Sequence, residues 1–180
     1  MAVLQVFVYG TLKRGQRNHD HYCRGATDII PATTVGQLFE LPFGFPGIRV
    51  PDSAIRAVGS ADYSADARIP DDIAVRPEDP DPYRSLVHGE LITFPDPNSL
   101  AQLDGLEGYV PGEKGLYVRV LVPVMTHNET YLAWAYAVTR EAGSYLPGGR
   151  WLATYLRSQA YTIEGGTSEI QRNIIAQRGL

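Results

Sequence analysis

Cysteine is almost missing from this sequence. Cys23 stands alone among 180 residues, so no intrachain disulfide forms, as suits a reducing compartment. No apolar run approaches the roughly 20 residues that cross a bilayer, and the start shows no charged segment leading into an apolar leader. The expectation is a soluble, cytoplasmic protein with no membrane partner. A basic face is missing too: 16 Lys and Arg stand against 20 Asp and Glu, a net charge of -4, which argues against nucleic acid as a partner. There is no GxSxG elbow, no phosphate-binding P-loop and no GxGxxG dinucleotide loop. Metal ligands are sparse. His19 and His21 flank Asp20, but His88 and His127 are distant in sequence, so no metal is expected. Cys23 beside Arg24 reads as a bystander rather than a nucleophile.

What is present suits one domain with an appendage. Residues 3–8 are apolar and rich in branched and aromatic side chains, as a buried strand is. Further strands are predicted over residues 33–41, with Gly36 as a close-approach or bulge position, and over 87–94, 116–124 and 130–139. The last two form an antiparallel pair across a turn at His127-Asn128. In the second of them Leu132, Trp134, Tyr136 and Val138 share one face, and Ala133, Ala135 and Ala137 the other. Residues 42–47 read as a turn-rich loop able to wall a pocket. Residues 60–83 combine seven carboxylates with four prolines, which predicts a long, solvated loop with no calcium-binding spacing. A short helix carries Leu100, Leu103 and Leu106, with Asp96 or Asn98 as its cap, and ends at Gly108. Another helix is expected around Trp151 and Tyr155. Strands in runs with few helices between them argue for an α+β chain with a mixed or antiparallel sheet, closed into a small barrel in one reading.

Two features carry chemistry. The strand at residues 3–8 stops at Tyr9-Gly10-Thr11-Leu12, where Gly10 permits a sharp turn or a close backbone approach. Such a turn presents backbone N–H groups at a fixed place, suited to a carboxylate or a developing oxyanion. The second feature is Glu107, at the C-terminal end of the short helix. The helix dipole is negative there, and burial adds to it, so a raised pKa is expected, as a general acid/base near neutral pH requires.

The stretch YGTLKRGQ followed by Asn18-His19 resembles the opening of the gamma-glutamylcyclotransferase-like family, most of all its gamma-glutamylamine cyclotransferase branch. Leu103-Asp104, then Glu107, then Tyr117-Val118-Arg119 resemble its later motif, and Val87-His88-Gly89-Glu90 its preceding strand. The resemblance covers residues 3–155 and implies a small, mixed but largely antiparallel β-barrel with a few short helices. It divides the chain into a domain over 1–156, with 60–83 as an insertion, and a helical tail over 157–180. It also implies a cofactor-independent enzyme. The α-amine of a gamma-glutamyl amine or amino compound attacks its own γ-carbonyl, giving 5-oxoproline and a free amine. Carried over by position, Glu107 is the catalytic residue, and Tyr9, Gly10, Thr11, Leu12 and Tyr136 bind substrate. Asp104 is expected to be structural. The alternative is a non-catalytic small-molecule-binding or interaction protein that keeps the fold and lost the reaction.

Residues 163–175 resemble a different family, the C-terminal segment of acyl-CoA dehydrogenases. The helical body of those enzymes has no counterpart here, so no flavin is expected. Ser168-x-x-Gln171 fits a capping box, and Ile170, Ile174 and Ile175 form an apolar stripe. That stripe is expected to dock on this domain, on a second copy in a homodimer, or on a dehydrogenase partner.

Overall fold

The computed structural model describes residues 3–41, 45–68 and 85–139. Strand β1 (Leu4–Val8) lies mid-sheet. It pairs antiparallel with β6 (Leu86–Phe94) and in parallel with β8 (Thr130–Val138). On one side β6 pairs with β2 (Asp28–Val35); on the other, β8 pairs with β7 (Tyr117–Met125). The pairings Thr33↔Met125 and Thr34↔Val124 join β2 to β7 and close a small barrel, antiparallel but for β1–β8. Two-residue β5 (Ala57–Val58) adds to β7, and β3 (Gln37–Glu40) with β4 (Pro46–Arg49) forms a separate ribbon.

Alternation along the strands makes two cores. Phe7, Ala32, Leu91, Val122 and the three alanines of β8 pack together, one side chain layer contributed by every barrel strand. Small alanines leave space for Phe7 there, so a narrow barrel can close around it. The opposite faces, including Val6, Phe94, Trp134 and Tyr136, pack with Leu100 and Leu103 of helix α3 (Ser99–Glu107). Two further short helices, α1 (His19–Tyr22) and α2 (Tyr63–Ala67), sit in connections. Among the described residues no helix is long and apolar enough to cross a membrane.

Three expectations need correction. The single strand predicted over residues 33–41 is two strands, because the chain leaves the barrel at Gly36, and the first begins earlier, at Asp28. The expected loop at residues 42–47 contains the start of β4. The acidic loop is not solvated throughout: α2 occupies part of it, capped by Asp62 accepting from Ala65 N–H at 2.9 Å, and Asp66 is buried. Its remainder, residues 69–84, lies outside the described residues, as do the helix expected near Trp151 and the whole tail. At α3 both suggested caps contribute in part. Asn98 occupies the cap position, and the Asp96 side chain accepts from the Asn98 N–H at 2.9 Å.

Candidate active site

The turn after β1 is fixed from behind by two residues that the sequence reading quoted without a role. Asn18 donates from its backbone N–H to the Thr11 carbonyl at 3.1 Å and from Nδ2 to Thr11 Oγ1 at 2.9 Å. His19 Nδ1 donates to the Leu12 carbonyl at 2.8 Å, and Cys23 Sγ approaches the same oxygen. With its carbonyls and the Thr11 hydroxyl engaged from that side, the turn keeps its amides unspent. Among the described residues the N–H groups of Gly10, Thr11 and Leu12 have no acceptor. The Leu12 side chain is in the core, so its contribution to a ligand is its backbone. Pro46 of β4 covers Gly10 so closely that a β-carbon there would lie 2.7 Å from Pro46 Cγ. Downstream, Arg14 clasps Glu90 of β6 through its backbone N–H at 2.8 Å and its Nε at 3.0 Å. Burial alone would raise the Glu90 pKa, but Arg14 and Lys13 outweigh it and hold the carboxyl below its ordinary value.

Glu107 is the last residue of α3. Gly108 follows in the left-handed region (φ 64°), and the Tyr109 N–H caps the Asp104 carbonyl at 2.9 Å. A left-handed residue costs glycine little, so the helix stops cleanly beside Glu107. Burial raises the Glu107 pKa from 4.5 to about 7. Yet Glu107 and Tyr9 both keep some exposed surface. No hydrogen bond or ion pair holds the Glu107 carboxyl among the described residues.

Three phenols feel its charge. Burial raises the pKa of Tyr9, Tyr117 and Tyr136, and the nearby Glu107 charge raises each further. Tyr9, after β1, and Tyr136, on β8, thus both lie within reach of the charge of Glu107 on α3. The phenols are tied down: Tyr9 donates to the Tyr136 carbonyl at 2.6 Å, Tyr117 to the Pro46 carbonyl at 3.1 Å, and Tyr136 to Asp104 Oδ1 at 2.6 Å. The Tyr136 hydroxyl is therefore committed to Asp104. Sequence reading passed over Tyr117 and Arg119 as site residues. The signal was there: positions 117 and 119 share one strand face, and Arg119 is fully buried, paired with Asp104 and Asp66.

A separate groove, lined by Gly36, Gln37, Arg49, Pro51, Val118 and Thr139 among others, contains none of the candidate residues. Glu107 offers a proton acceptor of near-neutral pKa, and the turn after Tyr9 offers backbone donors with no acceptor among the described residues.

Known proteins were compared with the chain. The family model of gamma-glutamyl cyclotransferase, AIG2-like, matches residues 6–75 and 73–153. The model of the acyl-CoA dehydrogenase C-terminal domain matches residues 132–180. Among solved structures, an AIG2-like protein from Mus musculus is similar at 20% identity and a TM-score of 0.50, over 82% of this chain and 86% of that one. YkqA from Bacillus subtilis is 22% identical with a TM-score of 0.47, over 76% of this chain. The match spans 36% of YkqA, about a third of its length. The protein PH0828 from Pyrococcus horikoshii is 14% identical, with a TM-score of 0.40, over 75% of this chain and 77% of that one. A comparison with curated proteins returns no match. The likeness to the mouse protein shows the fold: a small barrel-like sheet with few short helices.

Proposed function

Because the chain belongs to the gamma-glutamyl cyclotransferase, AIG2-like family, we propose that it cyclises a gamma-glutamyl amine or gamma-glutamyl amino compound to 5-oxoproline and releases the free amine. Family membership supports a cyclotransferase-like enzyme; the substrate and the roles below are our reading. One observation carries it. A carboxyl with a pKa raised to about 7 by burial, and with no partner among the described residues, lies near enough to Tyr9, Tyr117 and Tyr136 for its charge to act on their phenols, and Tyr9 leads into the turn whose Gly10, Thr11 and Leu12 N–H groups have no acceptor among the described residues.

The chemistry follows from those groups. Glu107 as carboxylate takes a proton from the substrate α-ammonium, whose pKa lies near 8. The freed amine nitrogen attacks the γ-carbonyl carbon and closes a five-membered ring. Negative charge gathers on the carbonyl oxygen, where backbone N–H groups of residues 10–12 stabilise it or, equally, hold the α-carboxylate. As the C–N bond to the leaving amine breaks, Glu107 returns its proton to that nitrogen, and the surplus proton on the ring nitrogen passes to the departing amine, which leaves as an ammonium. The nucleophile is part of the substrate, so the chief task is to hold the chain curled with nitrogen and carbon about 3–3.5 Å apart. The rings of Tyr9, Tyr117 and Tyr136 shape that curl and keep water sparse.

The test is a panel of gamma-glutamyl compounds, including gamma-glutamyl alkylamines, ε-(gamma-glutamyl)lysine and gamma-glutamyl amino acids, incubated with the full chain. Mass spectrometry should find 5-oxoproline and one amine in equal amounts from at least one of them. Release of glutamate instead would mean that water, not the α-amine, is the nucleophile, and no turnover across the panel would reject the reading.

A further inference from the structure

Arg119 lies outside the chemistry just described, yet it is fully buried with an unusual set of partners. Nη1 donates to Asp104 Oδ2; Nη2 donates to Asp66 Oδ2 at 2.5 Å and to the Ser60 carbonyl at 2.7 Å. Its guanidinium carbon lies 5.3 Å from the ring centres of Tyr109 and Trp134 and 5.4 Å from that of Tyr63. Burial works against its charge, but Asp104, Tyr136 and Asp66 outweigh that and raise its pKa. A buried ion cluster of this kind adds little net stability compared with apolar packing, so its retention asks for another reason.

Its placement supplies one. Asp104 and Tyr109 bracket Glu107, at three residues before and two after. Asp104 has both oxygens engaged, one by Arg119 and one by Tyr136. Tyr109 lays its ring against the same guanidinium and donates its hydroxyl to the Gly59 carbonyl at 2.6 Å. Arg119 in turn is set by the segment after β5. Asp66 accepts from Ser60 N–H at 2.8 Å and from Ser60 Oγ at 2.9 Å, and Trp134 Nε1 donates to the Asp66 carbonyl at 3.0 Å. We propose that Arg119 is a positioning residue: it clamps the end of α3 at Asp104 and Tyr109, so that Glu107 between them is held toward the turn at Gly10, and the Ser60–Asp66 segment fixes the clamp. The first part of the acidic insertion thereby acts on the site without touching substrate. The inference rests on the proposed reaction only for its kinetic readout.

Asp66→Asn and Tyr109→Phe each remove one tie and leave Glu107 intact. Thr34→Val is the control: it removes a buried hydrogen bond of 2.7 Å to the Pro123 carbonyl on β7 without touching α3 or the Arg119 cluster. The Glu107 carboxyl is titrated by carbon-13 NMR in the free protein. The titratable groups that its charge reaches, Tyr9 after β1, Tyr117 from β7 and Tyr136 from β8, remain in every variant, as does Asp104 three residues before it on α3. A loosened helix end admits water, and Asp66→Asn also leaves Arg119 less neutralised. Both favour the carboxylate, so the Glu107 midpoint should fall by roughly half a pH unit or more in the two tie variants and stay put in the control. Turnover should fall roughly tenfold or more with KM little changed. Superimposable titrations in all four proteins overturn the proposal, whatever reaction the protein runs. A shifted midpoint in a protein that releases no 5-oxoproline upholds the positioning role and removes the reaction instead.

Discussion

Glu107 carries a conflict between stability and use. Burial raises its pKa from 4.5 to about 7, so the folded chain binds a proton there that the unfolded chain releases. The sign follows. Below about pH 4.5 both states are protonated and nothing is lost. Between about pH 4.5 and about 7 the unfolded chain ionises while burial keeps the proton on the folded one, so stability falls across that window and levels off above it. Glu107→Gln removes that burden while keeping the shape. In urea titrations the variant should be more stable than the parent above pH 7, by about 1–3 kcal/mol, and the gain should shrink toward pH 4.5. A variant less stable than the parent at pH 8 would show that the carboxylate is held by partners in solution, and the account of its raised pKa would fail. Destabilised residues of this sort are expected where function rather than folding selects the side chain.

At the scale of elements, the turn after β1 works because several neighbours agree on its shape. Asn18 and His19 engage its oxygens from behind, and Pro46 closes over Gly10. Gly10→Ala would drive a methyl to 2.7 Å from Pro46 Cγ. The expected result is a fold that survives, a KM raised roughly tenfold and a lower melting temperature, because ribbon and turn must part. An unchanged KM would mean that the turn does not hold substrate. Much of this was legible in the sequence. The apolar run at residues 3–8, the glycine after Glu107 and the two long strands around His127-Asn128 appear with nearly the expected bounds, because local pattern alone dictates them. What escaped depends on tertiary contact. Asp66 sits among like charges and prolines, so it reads as solvated; the guanidinium of Arg119, 53 positions away, offsets its charge in the core. Ribbon strand β4 begins with proline and glycine, which argue locally for a loop, and it forms because β3 pairs with it. The polar ties of Tyr9, Tyr117 and Tyr136 span 127, 71 and 32 positions, and no short-range pattern announces them.

Across the whole molecule, strand pairing and the packing of α3 bring the charge of Glu107 within reach of Tyr9. The parallel pairing of β1 with β8 places Tyr9 at the Tyr136 carbonyl, and the outer face of the same sheet carries α3. Cys23 reports how firmly this assembly is shut. It is buried in the α3-side core, and burial, helped by the Glu90 charge, pushes its thiol up to about 11. At pH 8 an aromatic disulfide reagent should label it only through opening, at least about 100-fold more slowly than in urea-unfolded chain, with the native rate climbing as denaturant is added. Immediate labelling would mean that the segment behind the turn is open in solution. The central claim is that Glu107 moves the proton in an intramolecular ring closure. Its most direct test compares the parent and Glu107→Gln on whichever gamma-glutamyl compound the parent turns over, following 5-oxoproline and amine together from pH 5 to pH 9. The account predicts a parent whose activity rises through about pH 7, and a folded variant reduced at least about 100-fold at every pH. A variant that retains the parent's rate and pH profile would contradict it.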